Sequence, residues 1–431
     1  MATVIETVDL EIQREPFVRP FAFKGSAFHE KWNTVVRLVD GDGTVAFGVG
    51  GLAVLWSDPE LFASHTEVGG NVLMVAVLEF ALQKSRGIAW SSPPELTAKL
   101  LPEVYQYARA ITGKADLRFT FAANALVALD NAAWILHARR GGLTSFDAML
   151  PPGAGQALTS RQERVLLVPA VGYNLPGQEL SRLLREGAAI LKIKLGRPGS
   201  EPEMLAADQR ALARVHAAAG SRETPLTESG RVLYYLDANG RYRSLESVVA
   251  LLEYADRIGM LERVVLLEEP FADEAGVEVG DLPVRVAADE SLHAVEDVAT
   301  RAQLGYGAVA IKAAGKTLSL ALEMAAAALE SGLTCFAADN ACVPVLVEWN
   351  KNVAARLPEF PGVKGGILES NGPENYGRWN QMVGDDHPLA GAKWVQAVDG
   401  AYRLDDDYYS ASGGILRDPI PYSDLFAGGD R

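Results

Sequence analysis

Five short apolar runs in the second half of the chain each end in charge. They read Ile190-Leu191-Lys192-Ile193-Lys194, Leu236-Asp237-Ala238-Asn239, Leu266-Leu267-Glu268-Glu269-Pro270, Ala288-Asp289-Glu290-Ser291 and Ala310-Ile311-Lys312. A charge at the end of a buried strand is costly unless it is paired or bound to a metal. One such residue would read as a salt bridge at the rim. Five in succession, three acids bracketed by lysines, read as one ionic site. Carboxylates converging on a point suit a hard divalent cation, with Mg²⁺ favoured and Mn²⁺ admissible. The two-residue period of a strand puts Lys192 and Lys194 on the same side. The same period does not choose between Glu268 and Glu269.

The elements that must hold these residues follow from the surrounding pattern. From about residue 163, apolar strand-like runs alternate with helical stretches. Strands are expected at 165–171, 189–195, 232–237, 263–268, 284–289, 308–312, 334–338 and 365–369, with helices such as 202–219, 245–258, 317–330 and 345–357 between them. Alternating β and α units with apolar strands imply a parallel sheet covered on both faces. Eight units favour closure into a barrel, whose C-terminal rim is where sites are built. The polar stretch 221–230 reads as an insertion before the third strand.

The first part reads as α+β. Two β-rich runs, 34–39 and 45–49, flank the turn Asp40-Gly41-Asp42-Gly43. Helices are expected over 72–83, 95–111 and 122–140, the last closed by Gly141-Gly142. The expected fold is therefore α/β: a (β/α)7β TIM-like barrel over 161–387 with an α+β capping domain over 1–160, joined by the tail 388–431. Apolar residues of that tail (Trp394, Val395, Tyr402, Ile415, Leu416) should pack back on a domain, and Asp405-Asp406-Asp407 should be a solvated turn.

The series Lys-x-Lys, Asp-x-Asn, Glu-Glu-Pro, Asp-Glu-Ser, Ile-Lys resembles the enolase superfamily, above all its muconate lactonizing enzyme branch, which includes dipeptide epimerases and o-succinylbenzoate synthases. The resemblance spans nearly the whole chain. It implies that Asp237, Glu268 and Asp289 bind Mg²⁺. It also implies that Lys194 and Lys312 act as acid and base on opposite faces of a small carboxylate substrate, and that Lys192 steadies the enolate or the carboxylate. The implied reaction is removal of an α-proton, with racemisation or epimerisation of an amino acid derivative first and cycloisomerisation or dehydration second. A non-catalytic metal-binding barrel is a third reading, and the retention of all three lysines weighs against it. An α-proton is weakly acidic, so its removal requires electrostatic stabilisation of the enolate. The base must be a neutral amine, and a lysine beside another lysine and a dication is expected to have a depressed pKa.

The chain departs from some branches. The seventh strand ends Phe336-Ala337-Ala338-Asp339-Asn340, without the histidine of the mandelate-racemase pattern. The eighth ends Leu368-Glu369-Ser370-Asn371, not the Asp-x-Asp of dipeptide epimerases. Asn239, Asp339, Glu369 and Phe28 are expected to touch substrate. The aromatic stretch 23–32, with Gly25-Ser26, reads as a lid. Gly315-Lys316-Thr317 lacks the rest of a phosphate loop, because position 310 is Ala, so Lys316 is expected at the surface where a helix starts. His293 also reads as a helix-start residue. Cys335 and Cys342 are too few for a disulfide framework and should be buried and inert.

Composition sets the remaining bounds. The 431 residues are 48% hydrophobic and 22% charged, as in a globular enzyme of two domains. A net charge of −15 disfavours nucleic acid and anionic membranes. No signal peptide or membrane-length apolar run is read and two cysteines suit a reducing compartment, so a cytoplasmic location is expected, while homo-oligomeric assembly is what the superfamily resemblance implies.

Overall fold

The computed structural model describes residues 2–427. Its first sheet is antiparallel, with strands β1 (Thr3–Phe23), β2 (Ser26–Asp40), β3 (Val45–Gly51) and β4 (Ala89–Trp90) in the order β3-β2-β1-β4. The expected hairpin joins β2 to β3, with Val39 opposite Val45. Its turn is held by Asp40, whose Oδ1 accepts from the backbone N–H of Asp42 and Thr44. β1 is a long strand that the sequence pattern conceals: its central residues carry charges and are half-buried or exposed on both faces.

Helices Glu67–Ser85, Pro93–Thr112 and Val127–Gly141 pack on this sheet. Thr66 caps the first through the N–H of Gly69, and Gly113 and Gly142 end the other two in the left-handed conformation. The last helix lies directly on β3 because Gly48 and Gly50 have no side chains; a Cβ on Gly50 would sit 2.6 Å from the Ala128 nitrogen. The single helix expected over 122–140 is instead two, Phe119–Ala125 and Val127–Gly141, bent by 48°. Asn124, in the last turn of the first helix, donates to Gly51 O and Gly315 O and accepts from the N–H of Ala53, which ties cap to barrel.

The barrel strands are β5 (Arg164–Val168), β6 (Ala170–Val171), β7 (Ile190–Lys194), β8 (Leu233–Asp237), β9 (Val264–Glu268), β10 (Val286–Ala288), β11 (Ala308–Ile311), β12 (Thr334–Ala337) and β13 (Gly366–Glu369). All neighbours in this series that pair run parallel. β5 and β6 are one extended run broken at Pro169, which has no N–H to give a ladder. β5 pairs with β13 and β6 pairs with β7, so this one run closes the circle of eight. Each expected strand is present: the first is split at Pro169 and begins one residue earlier, the fifth is shorter by three residues and the others by one or two.

Helices such as Glu201–Ala219, started by the Ser200/Glu203 capping box, cover the outside. The insertion 221–230 folds under the barrel. Thr227 bridges Val363, and Leu226, Phe360 and Val363 join the apolar packing that seals the N-terminal end. The tail does return. β14 (Ala401–Arg403) runs antiparallel to β5, Asp418 pairs with Arg139, and Phe426 packs on Phe47 of β3. Among the described residues, no single helix is long and apolar enough to cross a membrane.

Candidate active site

The C-terminal ends of β7 to β11 meet under the cap, and the strand-end residues expected to gather there do so. Lys192 is buried at the centre, with its ammonium 2.9 Å from Asp237, 2.6 Å from Glu268 and 2.7 Å from Glu369. Lys194 pairs with Asp237 at 2.5 Å and Lys312 with Asp289 at 2.6 Å. β7 and β11 are the second and sixth of eight strands, so Lys194 and Lys312 approach one cavity from opposite sides. That cavity is lined by both lysines, Asp289, Asn239, Asp339, Glu369 and Asn371 below, and by Phe21, Phe23, Phe28, Leu55 and Trp56 above. Of Glu268 and Glu269, the first faces inward. Glu269, with φ of 42°, turns aside and accepts from the N–H groups of Asp289 and Ser291.

Burial sets the electrostatics. It works against the charge of Asp237, but Lys192 and Lys194 outweigh it and hold this carboxyl at about 2. Asp289 behaves likewise, and Lys312, Lys316 and Lys192 keep it below the usual carboxylate range. Burial pushes Glu268 well up, and the neighbouring Asp237 adds to the effect. Asp339 is raised to about 7 by burial and by Glu369. Burial lowers Lys312, yet Asp289 beside it wins and leaves the amine above its ordinary value. The depression expected of a lysine beside another lysine and a dication concerns the loaded site, and Asp289 alone acts on Lys312 in the opposite direction.

The residues fit a divalent cation. Glu268 Oε1 and Asp289 Oδ1 are buried acceptors without a hydrogen-bond donor, a costly state that a cation relieves. Asp237 differs: one oxygen accepts from both lysines and the other from the N–H of Asn239. Within the described residues, the three carboxylates whose ligand atoms lie within 4.8 Å of one another are Glu268, Asp289 and Glu290.

Several site residues carried no sequence signal. Lys316, expected at the surface, is buried. A four-residue helix, Ala313–Lys316, folds straight off β11 and aims its ammonium at the Asp289 carbonyl, 2.6 Å away. Trp56, from the cap, donates its indole N–H to Asp289 at 3.2 Å and lies 4.5 Å over the Lys312 ammonium. Tyr235, two residues before Asp237 on β8, donates to Glu268 and faces Lys192; the strand period could have found it. Lys24 sits in the turn between β1 and β2, where the lid was expected. Its ammonium reaches Glu290 at 3.2 Å and Trp56 O at 2.9 Å. The 23–32 segment is thus the end of a β-hairpin lying over the cavity. His293 pairs with Asp273 and stays outside the cavity. Both cysteines are buried and free, each raised to about 12 by burial.

No protein-family model matches the sequence, and no curated protein matches it. Solved structures do resemble it. The L-Ala-D/L-Glu epimerase of Bacillus subtilis aligns at TM-score 0.65 and 16% identity, over 93% of this chain and 96% of that one. A dipeptide epimerase of Cytophaga hutchinsonii, complexed with Mg and D-Ala-L-Val, aligns at TM-score 0.65 and 15% identity, over 95% and 98%. The 2-chloromuconate cycloisomerase of Rhodococcus opacus 1CP aligns at TM-score 0.63 and 19% identity, over 94% of each chain. The chain shares the fold of these epimerases and this cycloisomerase. Barrel and cap both take part in the match, since coverage extends over nearly the full length of each chain.

Proposed function

We propose that this chain is an enolase-superfamily enzyme that removes the proton α to a carboxylate and returns it, racemising or epimerising an amino acid derivative. The observation that carries this reading is the pair Lys194 and Lys312, set on opposite sides of one cavity beside the acids. One amine takes the α-proton, leaving the C–H electron pair in the enolate. The other, as an ammonium, delivers a proton to the opposite face and inverts the centre. Lys192, fixed among three carboxylates, is placed to neutralise charge beneath the enolate. Glu268 and Asp289, with Asp237 from the adjacent strand, would hold Mg²⁺ or Mn²⁺. The ion would supply the positive charge that an enolate requires and would relieve Lys312 of part of the Asp289 charge.

The cavity lining favours a substrate with a single carboxylate. Its cations are Lys194 and Lys312, whereas Glu30, Glu67, Asp289, Asp339 and Glu369 are all acidic. Among the described residues of this lining, a second carboxylate, as in a muconate-type cycloisomerisation, would find no free cation. Asp339, Glu369 and Asn371 suit an ammonium or amide N–H. Phe21, Phe23, Phe28 and Trp56 suit an apolar side chain.

The test is deuterium uptake. The protein with Mg²⁺ in D₂O is offered amino acids, N-acyl amino acids, dipeptides and hydroxy acids, and mass spectrometry reads the α-position. Uptake that requires Mg²⁺ is expected for an apolar monocarboxylate. Uptake by none of these compounds counts against the reading, and a rearranged or dehydrated product would move it to cycloisomerase or dehydratase.

A further inference from the structure

Glu290 is adjacent to the fifth-strand acid, and neither its position in sequence nor the superfamily resemblance gives it a role. Its side chain is 3% exposed. One oxygen is fully engaged: Glu290 Oε1 accepts from Asn239 Nδ2 at 2.9 Å and from the Lys24 ammonium at 3.2 Å. The other, Oε2, is buried without a hydrogen-bond partner. Glu268 Oε1 and Asp289 Oδ1 are in the same condition, and the Lys316 amine stands off from the latter at 3.6 Å. These three carboxylates lie within 4.8 Å of one another.

Asn239, which positions Glu290, is itself 7% exposed and has an unpartnered carbonyl, Oδ1, on the wall of the same cavity. Three anions with their free oxygens buried together repel one another at close range. A lysine meets one oxygen of each, and a cation reached by all three would engage the oxygens left over. Asp237, by contrast, has both oxygens already engaged by protein donors.

We propose that Glu290 is a ligand of the divalent cation, a fourth carboxylate beside Asp237, Glu268 and Asp289. This inference rests on the cation reading given above and extends it. Asn239 grips one oxygen of Glu290 and leaves the other for the ion, while the Lys24 ammonium beside the gripped oxygen offsets its charge. Lys24 belongs to the hairpin that covers the cavity, so the same carboxylate meets the cover on one side and the cation on the other.

Calorimetric titration of the full chain with Mg²⁺, and separately with Mn²⁺, tests this without reference to turnover. The variants are Glu290→Gln, Glu290→Asp and Lys24→Met, each first checked for a cooperative thermal transition in the absence of metal. A ligand role predicts at least tenfold weaker binding in Glu290→Gln and a smaller loss in Glu290→Asp. Lys24→Met is expected to bind as tightly as wild type or more so, because it removes a positive charge next to the ligand. A purely structural Glu290, acting only through the hairpin, would make Lys24→Met lose affinity in parallel with Glu290→Gln, and that result overturns the proposal. Wild-type affinity in any folded Glu290 variant also overturns it. If wild type binds the cation and exchanges α-protons while Glu290→Gln titrates unchanged, only this inference falls. If wild type binds no divalent cation, both fall.

Discussion

The two ends of the barrel interior are built on opposite principles. At the N-terminal end, Leu166, Ile190, Leu233, Leu266, Phe336, Phe360 and Val363 form a dry apolar plug. At the C-terminal end, within the same strands, the buried residues are Lys192, Lys194, Asp237, Glu268, Asp289 and Lys312. Tyr235 marks the boundary. Its ring edge meets Phe336 at 5.6 Å, Lys192 lies 4.5 Å over its face, and its hydroxyl donates to Glu268. The lower half gives stability by burying area. The upper half places charges where burial opposes them, the arrangement that the proposed chemistry requires. Stability and turnover should therefore separate along the barrel axis.

The largest effect is expected at the upper end. Lys194→Ala and Lys312→Ala should each lower inversion of substrate by about 10²–10⁴-fold, the usual share of a positioned acid or base. Each variant should keep α-proton exchange with one enantiomer only, and their thermal transitions should lie close to that of wild type. Equal loss of exchange with both enantiomers in either variant would assign the two lysines to one face.

The lower end should respond in the reverse way. Phe336→Ala leaves a cavity among Tyr235, Phe360 and their neighbours and should cost about 3–5 kcal/mol in urea unfolding. The fraction that remains folded should bind cation nearly as wild type does. A Phe336 variant that kept its stability but lost its metal would erase the distinction between the two ends.

This division explains what could be read from the residues alone. Strand identity and the charged strand ends were legible, because a buried parallel strand must be apolar throughout and a lysine or acid at its end stands out. Asp237, Glu268, Asp289, Lys192, Lys194 and Lys312 all converge as expected. Lys316, Trp56 and Lys24 were not legible. Their positions depend on the direction taken by a single-turn helix, on how the cap docks, and on a hairpin turn at φ of 51°, and none of these leaves a periodic trace. β1 was missed because a strand with both faces half wet loses its alternation. The Asp289 partner of Lys312, which raises its amine, was not legible either, because a salt bridge between adjacent strand ends leaves no mark in the spacing.

A third prediction concerns a charge at the upper end that lies outside the cavity lining. Glu374, in the short helix Gly372–Asn375 after β13, is buried with both oxygens unpartnered, and burial pushes it up to about 8. Its folded pKa lies above its unfolded one. Its stabilising contribution is therefore complete below about pH 4.5 and is lost as pH rises through 8. At about 1.4 kcal/mol per pH unit of displacement, Glu374→Gln should stabilise the protein by a few kcal/mol at pH 8–9 and by little at pH 4.5. Melting temperatures across that range measure it. A variant whose pH profile parallels that of wild type would mean that Glu374 has a partner in solution. Glu269 and Asp339, raised in the same direction, keep some slope in both profiles.

The smallest effect is expected at the most acidic stretch of the sequence. Asp405 caps the helix Asp406–Ala411 through the N–H of Tyr408, while Asp406 and Asp407 stand in solvent. The Asp406 carboxylate meets Arg161 at 3.0 Å, but both side chains are more than half exposed, and such pairs contribute little. Asp406→Asn with Asp407→Asn removes two of the three consecutive acids and should move stability by no more than about 0.5 kcal/mol. Cation affinity should be unchanged in calorimetry. The contrast with Glu268 is instructive, because removing one buried acid there should abolish binding that two exposed acids cannot influence. Under the proposed reading, burial of the carboxylate oxygens away from protein donors, and not the number of carboxylates, is what would make an acidic cluster a cation site. A loss of affinity in the double variant would place the ion at the tail and leave the strand-end acids as a network of internal salt bridges.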